Sequence, residues 1–94
     1  MKLSKWLKPM DTSGLHCNIY ITYKKPDGTI DSDMIYAGSM YEIPYWLVDY
    51  NITPNDENGE SIYWAHGLKK NIDDEEGTFD KVGFVISVYE EKNK

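Results

Sequence analysis

Leu15-His16-Cys17-Asn18-Ile19-Tyr20-Ile21-Thr22-Tyr23, then Pro26-Asp27-Gly28, then Ile30 to Ala37: the reading of this stretch decides the fold. Leu15, Cys17, Ile19, Ile21 and Tyr23 alternate with His16, Asn18, Tyr20 and Thr22. Successive strand side chains point to opposite faces, so this period of two predicts a strand with one buried face. Pro26 presets φ and Gly28 accepts a positive φ, which together supply turn chemistry. Ile30 to Ala37 is then the returning strand, with Ile30, Met34 and Tyr36 expected on one face, and the whole is a β-hairpin.

Downstream, Val82, Phe84, Ile86 and Val88 alternate with Val85 and Tyr89 behind them, a strand covered at least partly on both faces. Ser61 to Gly67 is also extended, with Ile62 and Trp64 on one face and Tyr63 and Ala65 on the other. Tyr50 to Thr53 forms a further short strand closed by Pro54, and Asn58-Gly59 is a tight-turn dipeptide. Gly38 ends the second strand, and Ser39 and Glu42 have the spacing of a helical capping box. Pro44 fits only the first turn of a helix, so one or two turns are expected, ending near Val48.

Upstream, residues 2–8 place Leu3, Trp6 and Leu7 at i, i+3 and i+4, with Lys2, Lys5 and Lys8 on the other face. Pro9 ends this amphipathic helix, which is too short to persist without docking its apolar face. The three lysines are either a solvated face or a contact for an anion. The sum is an α+β chain, residues 1–94 as a single domain. It is expected to be a small, twisted, mostly antiparallel sheet of about five strands, with a short N-terminal helix and a short helix between strands 2 and 3.

Composition narrows the function classes. The 94 residues carry 40% hydrophobic and 28% charged side chains, which suits a globular chain and not a disordered one. The single cysteine, Cys17, precludes an internal disulfide and fits a reducing, cytoplasmic setting. No apolar run is long enough for a secretory signal or a membrane-spanning helix. Formal net charge is −6, from 16 acidic residues against ten lysines and no arginine. Arginine is the side chain best shaped for phosphates and guanine edges, so direct nucleic-acid binding is not expected.

Motifs for chemistry are absent along the chain, and carboxylate pairs of the glycosidase type, which separation in space defines, stay open at this point. On a strand, His16 and Cys17 point to opposite faces and cannot hold one ion together, and His66 has no Cys or His at ligand spacing. Aligning Gly59 with the glycine of a calcium loop puts Pro54 and Ala65 where carboxylates belong. No Ser is framed as a catalytic nucleophile, and no Gly-rich phosphate loop is present. The chain is therefore read as non-enzymatic, without cofactor or metal.

Two features carry the remaining signal. Tyr36, Tyr41, Tyr45, Trp46 and Tyr50 crowd into one stretch, either as core or as interface anchors, since Tyr and Trp bury much area at small entropic cost. Acidic residues recur at Asp31 and Asp33, at Asp56, Glu57 and Glu60, at Asp73, Asp74, Glu75 and Glu76, and at Glu90 and Glu91. They form either a solvated surface or one that steers toward a basic groove in place of phosphates. The residues singled out for partner binding are Asp73, Asp74, Glu75, Glu76, Asp56, Glu57, Tyr41, Tyr45, Trp46 and Trp64.

Ile35-Tyr36-Ala37-Gly38-Ser39, Ile43-Pro44-Tyr45-Trp46 and Gly83-Phe84-Val85-Ile86-Ser87-Val88 resemble stretches in small phage- and prophage-type proteins of low-GC Gram-positive bacteria. The resemblance covers most of the chain, its motifs are structural, and it implies no catalytic residue. It implies a mobile-element accessory protein, a setting that includes anti-CRISPR and other anti-defence inhibitors. The expectation is a non-enzymatic inhibitor or modulator of a host defence or nucleic-acid-processing complex. The alternatives are a self-assembling structural protein and a small-molecule-binding module.

Overall fold

The structure, a computed structural model, describes residues 1–54, 60–74 and 81–89. Helix α1 (Leu3–Leu7) leads into β1 (His16–Lys24) and β2 (Ile30–Ser39). A 3-10 turn (Met40–Glu42) and the one-turn helix α2 (Tyr45–Val48) follow, then β3 (Asn51–Ile52), β4 (Ile62–Leu68) and β5 (Lys81–Tyr89). The expected turn at Asn58-Gly59 lies outside the described residues.

The 5-stranded sheet runs β2-β1-β5, and β4 and β3 share the remaining edge of β5. All pairings are antiparallel except β1 with β5, which is parallel from His16↔Gly83 to Ile21↔Val88. Across that parallel pair Cys17 faces Phe84, Ile19 faces Ile86 and Ile21 faces Val88. The two period-two patterns thus lie on one face and build the core.

Leu3, Cys17, Ile19, Met40, Leu47, Ile86 and Val88 form the buried cluster, so both helices and the 3-10 turn deliver a side chain to the same face of the sheet. Leu3 is fully buried, Trp6 and Leu7 pack against the cluster, and Lys2, Lys5 and Lys8 are exposed, as the helical spacing requires. Phe84 is clasped between two indoles: Trp6 meets it edge-on with centroids 5.3 Å apart, and Trp64 on β4 does so at 5.2 Å.

The hairpin turn closes through the Gly28 N–H donating to the Lys25 carbonyl at 2.9 Å, with Gly28 at φ 91°. Asp27 Oδ1 accepts from the Thr29 N–H and hydroxyl, which holds its carboxyl below the ordinary carboxylate pKa. One expectation is corrected in β2. A β-bulge shifts the register between Ile19↔Tyr36 and Tyr20↔Met34, so the extra residue Ile35 flips the strand. Tyr36 faces the core, whereas Met34 and Ile30 lie on the opposite face with Tyr20 and Lys24.

Gly83 is required by packing. A β-carbon there would sit 1.8 Å from the His16 carbonyl oxygen, so β1 and β5 approach closely only because none is present.

Candidate functional site

After β2 the chain makes two turns in quick succession. The Ser39 hydroxyl accepts from the Tyr41 N–H at 3.1 Å and caps the 3-10 turn. Pro44 is the N-cap of α2, and its carbonyl accepts from the Leu47 N–H at 3.0 Å. Capping by Ser39 thus agrees with the sequence, and Pro44 divides the expected helical segment into two single turns.

These turns settle the aromatic question residue by residue. Met40 and Leu47 point into the core, and Ile43 and Val48 pack against it. Tyr41 is 77% exposed, Tyr45 86% and Trp46 50%. Trp46 is braced edge-on by Tyr50 at 6.2 Å, which fixes the indole while leaving half of it in water. Tyr36 and Tyr50 are half-buried, and the Tyr36 hydroxyl donates to the Ser39 carbonyl at 2.7 Å, a structural role. Burial pushes the Tyr36 phenol up to about 12. Trp64, also 50% exposed, belongs to the Trp6–Phe84–Trp64 set on β4.

Of the acidic residues read as partner-binding, Asp56, Glu57, Glu75 and Glu76 lie outside the described residues. Asp73 is exposed and Asp74 is half-buried. Both are drawn into a local turn, with the Asp74 carboxylate accepting from the Asn71 N–H at 3.2 Å and the Asp73 N–H donating to Asn71 Oδ1 at 2.9 Å. Asp31 lies at the exposed end of β2, where the Ser32 N–H and the Lys25 ammonium, 3.1 Å away, hold its carboxyl below the ordinary range.

What leads into residues 71–74 was not legible in the sequence. Asn18 belongs to the polar register of β1, yet it is only 4% exposed. Its Nδ2 donates to the Lys69 carbonyl at 3.2 Å and its Oδ1 accepts from the Lys69 N–H at 3.0 Å. His16 Nε2 lies 3.0 Å from the same carbonyl. A side-chain amide therefore takes the place of a backbone partner and ties the chain after β4 across the sheet face opposite the helices. No local pattern announces such a contact, because Asn18 and Lys69 are far apart in the chain.

A second feature was half visible. Between α1 and the 3-10 turn runs an open groove of about 790 Å³, lined by Leu7, Met10, Met40, Ile43 and Val48, with Lys5, Lys8 and Tyr41 also on its walls. In the sequence the lysine face of α1 reads only as a solvated face or an anion contact, and the methionines that complete the groove come from separate segments.

Cys17 is fully buried and its thiol is pushed up to about 12 by burial, a core residue and not a nucleophile. Among the described residues, no group of three or more His, Cys, Asp or Glu gathers to hold a metal ion. None of the described helices is long and apolar enough to cross a membrane. Comparisons of the chain with protein-family models, with curated proteins and with solved structures find no match.

Proposed function

We propose that this chain is a non-enzymatic protein-binding domain that inhibits or modulates a host defence or nucleic-acid-processing complex, with Tyr41, Tyr45 and Trp46 as its anchors. The observation that carries the binding part is exposure: Tyr45 at 86% and Tyr41 at 77% stand in water on two turns whose Met40 and Leu47 side chains are buried in the core. Large aromatics held on a rigid base lose little entropy on docking and are enriched among residues that dominate binding energy. The kind of partner is supported by the net charge of −6 and the absence of arginine, which favour a basic protein surface over a nucleic acid.

The test is a pull-down from nuclease-treated lysate of a Gram-positive host with active defence systems, at low and high salt. Recovery of one nucleic-acid-handling protein at near-equal stoichiometry is expected, lost with the Tyr45→Ala/Trp46→Ala double variant and at high salt. Neutralising residues 73–76 to the corresponding amides should weaken binding about tenfold, roughly 1.4 kcal/mol. A partner retained at full strength by both variants refutes the reading.

Self-association is the second reading. Tyr20 and Met34 lie opposite each other, as do Tyr63 and Val85, on the sheet face away from the helices, and Tyr63 is 49% exposed. Light scattering at micromolar concentration decides it, since a stable oligomer favours this face and a monomer removes it.

A further inference from the structure

The groove beside α1 runs against the acidic balance of the chain. Its floor is apolar, from Leu7, Met10, Met40, Ile43 and Val48, and two cations, Lys5 and Lys8, line it while no carboxylate does. This occurs in a chain with 16 acidic residues and ten lysines. Lys2, the third lysine of α1's polar face, lies 3.8 Å from Asp49, but among the described residues Lys5 and Lys8 have no ion-pair partner. Two uncompensated cations beside an apolar concavity favour a ligand that brings apolar groups and negative charge together.

The volume of about 790 Å³ falls in the range of ligand clefts, but the groove is open along its length instead of closing over its contents. An extended or helical segment, partly left in water, suits that shape better than an engulfed small molecule. Met10 and Met40 add unbranched, polarisable side chains that re-pack around different apolar anchors. Tyr41, one of the exposed aromatics, stands on the groove wall and adds a further apolar contact there.

Resting on the reading that the chain binds a protein, we propose that this groove seats a segment of the partner bearing apolar side chains flanked by Asp or Glu. The partner's basic surface and its acidic, apolar segment then meet different parts of this chain: its acidic residues and this cationic groove.

The test pans a random twelve-residue peptide display library on the full chain, with counter-selection on the Lys5→Glu/Lys8→Glu variant, whose exposed positions leave the core untouched. Enriched peptides are expected to combine Leu, Ile, Phe or Met with Asp or Glu. In spectra of the ¹³C-methyl-Met protein they should move the Met10 and Met40 signals and leave Met34, on the opposite sheet face, unmoved. Exchanging their acids for Lys should weaken binding at least fivefold, about 1 kcal/mol.

Several outcomes overturn the proposal: enrichment that survives the double lysine variant, peptides that move Met34 instead, or no enrichment over a bait-free surface. Movement of Met10 and Met40 on diluting the protein alone makes the occupant a second copy. Movement with decanoate but with no peptide makes it a small amphiphile, and either result also overturns the proposal. Peptides lost with Tyr45→Ala/Trp46→Ala but retained with the lysine variant remove the groove and leave the protein-binding reading standing.

Discussion

Replacing Asn18 by Ala tests whether the clamp on Lys69 supports the fold. The substitution removes two hydrogen bonds to the Lys69 backbone and the one from Nδ2 to the Cys17 carbonyl at 3.1 Å. A typical bond contributes about 1 kcal/mol net, and the Lys69 N–H then lacks its acceptor at a half-buried position. The Lys69 carbonyl keeps His16 Nε2 within 3.0 Å, which limits the loss. The expected cost is about 2–3 kcal/mol, a large share of the roughly 5–14 kcal/mol available to a chain of this length. With a urea m-value of about 1 kcal/mol/M, the midpoint falls by about 2–3 M at unchanged m. Amide exchange should show protection lost at Lys69 before the core strands open.

Asn18→Asp sharpens the same test, because the introduced carboxyl is nearly isosteric. Protonated, it donates to the Lys69 carbonyl and accepts from the Lys69 N–H, as the amide does. Ionised, it is buried and faces the Lys69 and Cys17 carbonyl oxygens, so its folded pKa is raised above the unfolded value of about 3.9. The native state then holds the proton where the unfolded chain has lost it. Stability relative to the parent is therefore best below about pH 4 and declines as pH rises through the folded pKa. A midpoint shift under about 0.5 M for the Ala variant, or a pH-independent difference for the Asp variant, refutes the assignment of these bonds.

Gly83→Ala drives a β-carbon to 1.8 Å from the His16 carbonyl oxygen, so β1 and β5 must separate where their parallel pairing begins. A cost of at least about 3 kcal/mol and a fall in Tm of about 12–24 °C is expected. Gly14→Ala, at φ 74° with nothing within 4 Å, should lose only about 1–2 kcal/mol, and equal losses would contradict the packing argument. Cys17, with its thiol pushed up to about 12, should resist iodoacetamide in the native state at about pH 8 and react in urea. Labelling of the native protein at the rate of a free thiol would contradict its burial.

The strands were legible because their signal is local. Cys17, Ile19 and Ile21 and, far along the chain, Phe84, Ile86 and Val88 each alternate within one segment, and Pro26-Asp27-Gly28 sets the turn by its own torsional preferences. Which strands pair, and in which direction, depends on contacts between segments that the periodicity does not encode. The parallel union of β1 and β5 therefore emerges only in the folded chain. The bulge at Ile35 is a stricter case. Ile30, Met34 and Tyr36 keep an even spacing, and a single inserted residue moves Tyr36 to the face opposite the other two. Asn18 shows the converse, a polar-register residue that is buried because a distant backbone group needs its amide.

The exposure of the aromatic turns has a simpler origin. Tyr45-Trp46-Leu47-Val48 is apolar at every position, so it carries no amphipathic phase and the sequence leaves core and surface undecided. A one-turn helix distributes its side chains around its whole circumference and offers the sheet only one side. Pro44 at the N-cap sets where that turn begins, and Leu47 and Val48 then take the inward positions. Tyr45 and Trp46 are left facing water by geometry, in a chain short of apolar cover for them. Retaining two large aromatics there, with Trp46 braced on Tyr50, wastes apolar area unless a partner removes it from water. The same reasoning applies to Leu7, Met10 and Ile43 in the adjoining groove, whose floor is half-buried in the chain alone. Tyr41 is exposed and also lines that groove, whereas Tyr45 and Trp46 stand on the following turn, so substitutions at Tyr45 and Trp46 and at Lys5 and Lys8 test the aromatic turn and the groove separately.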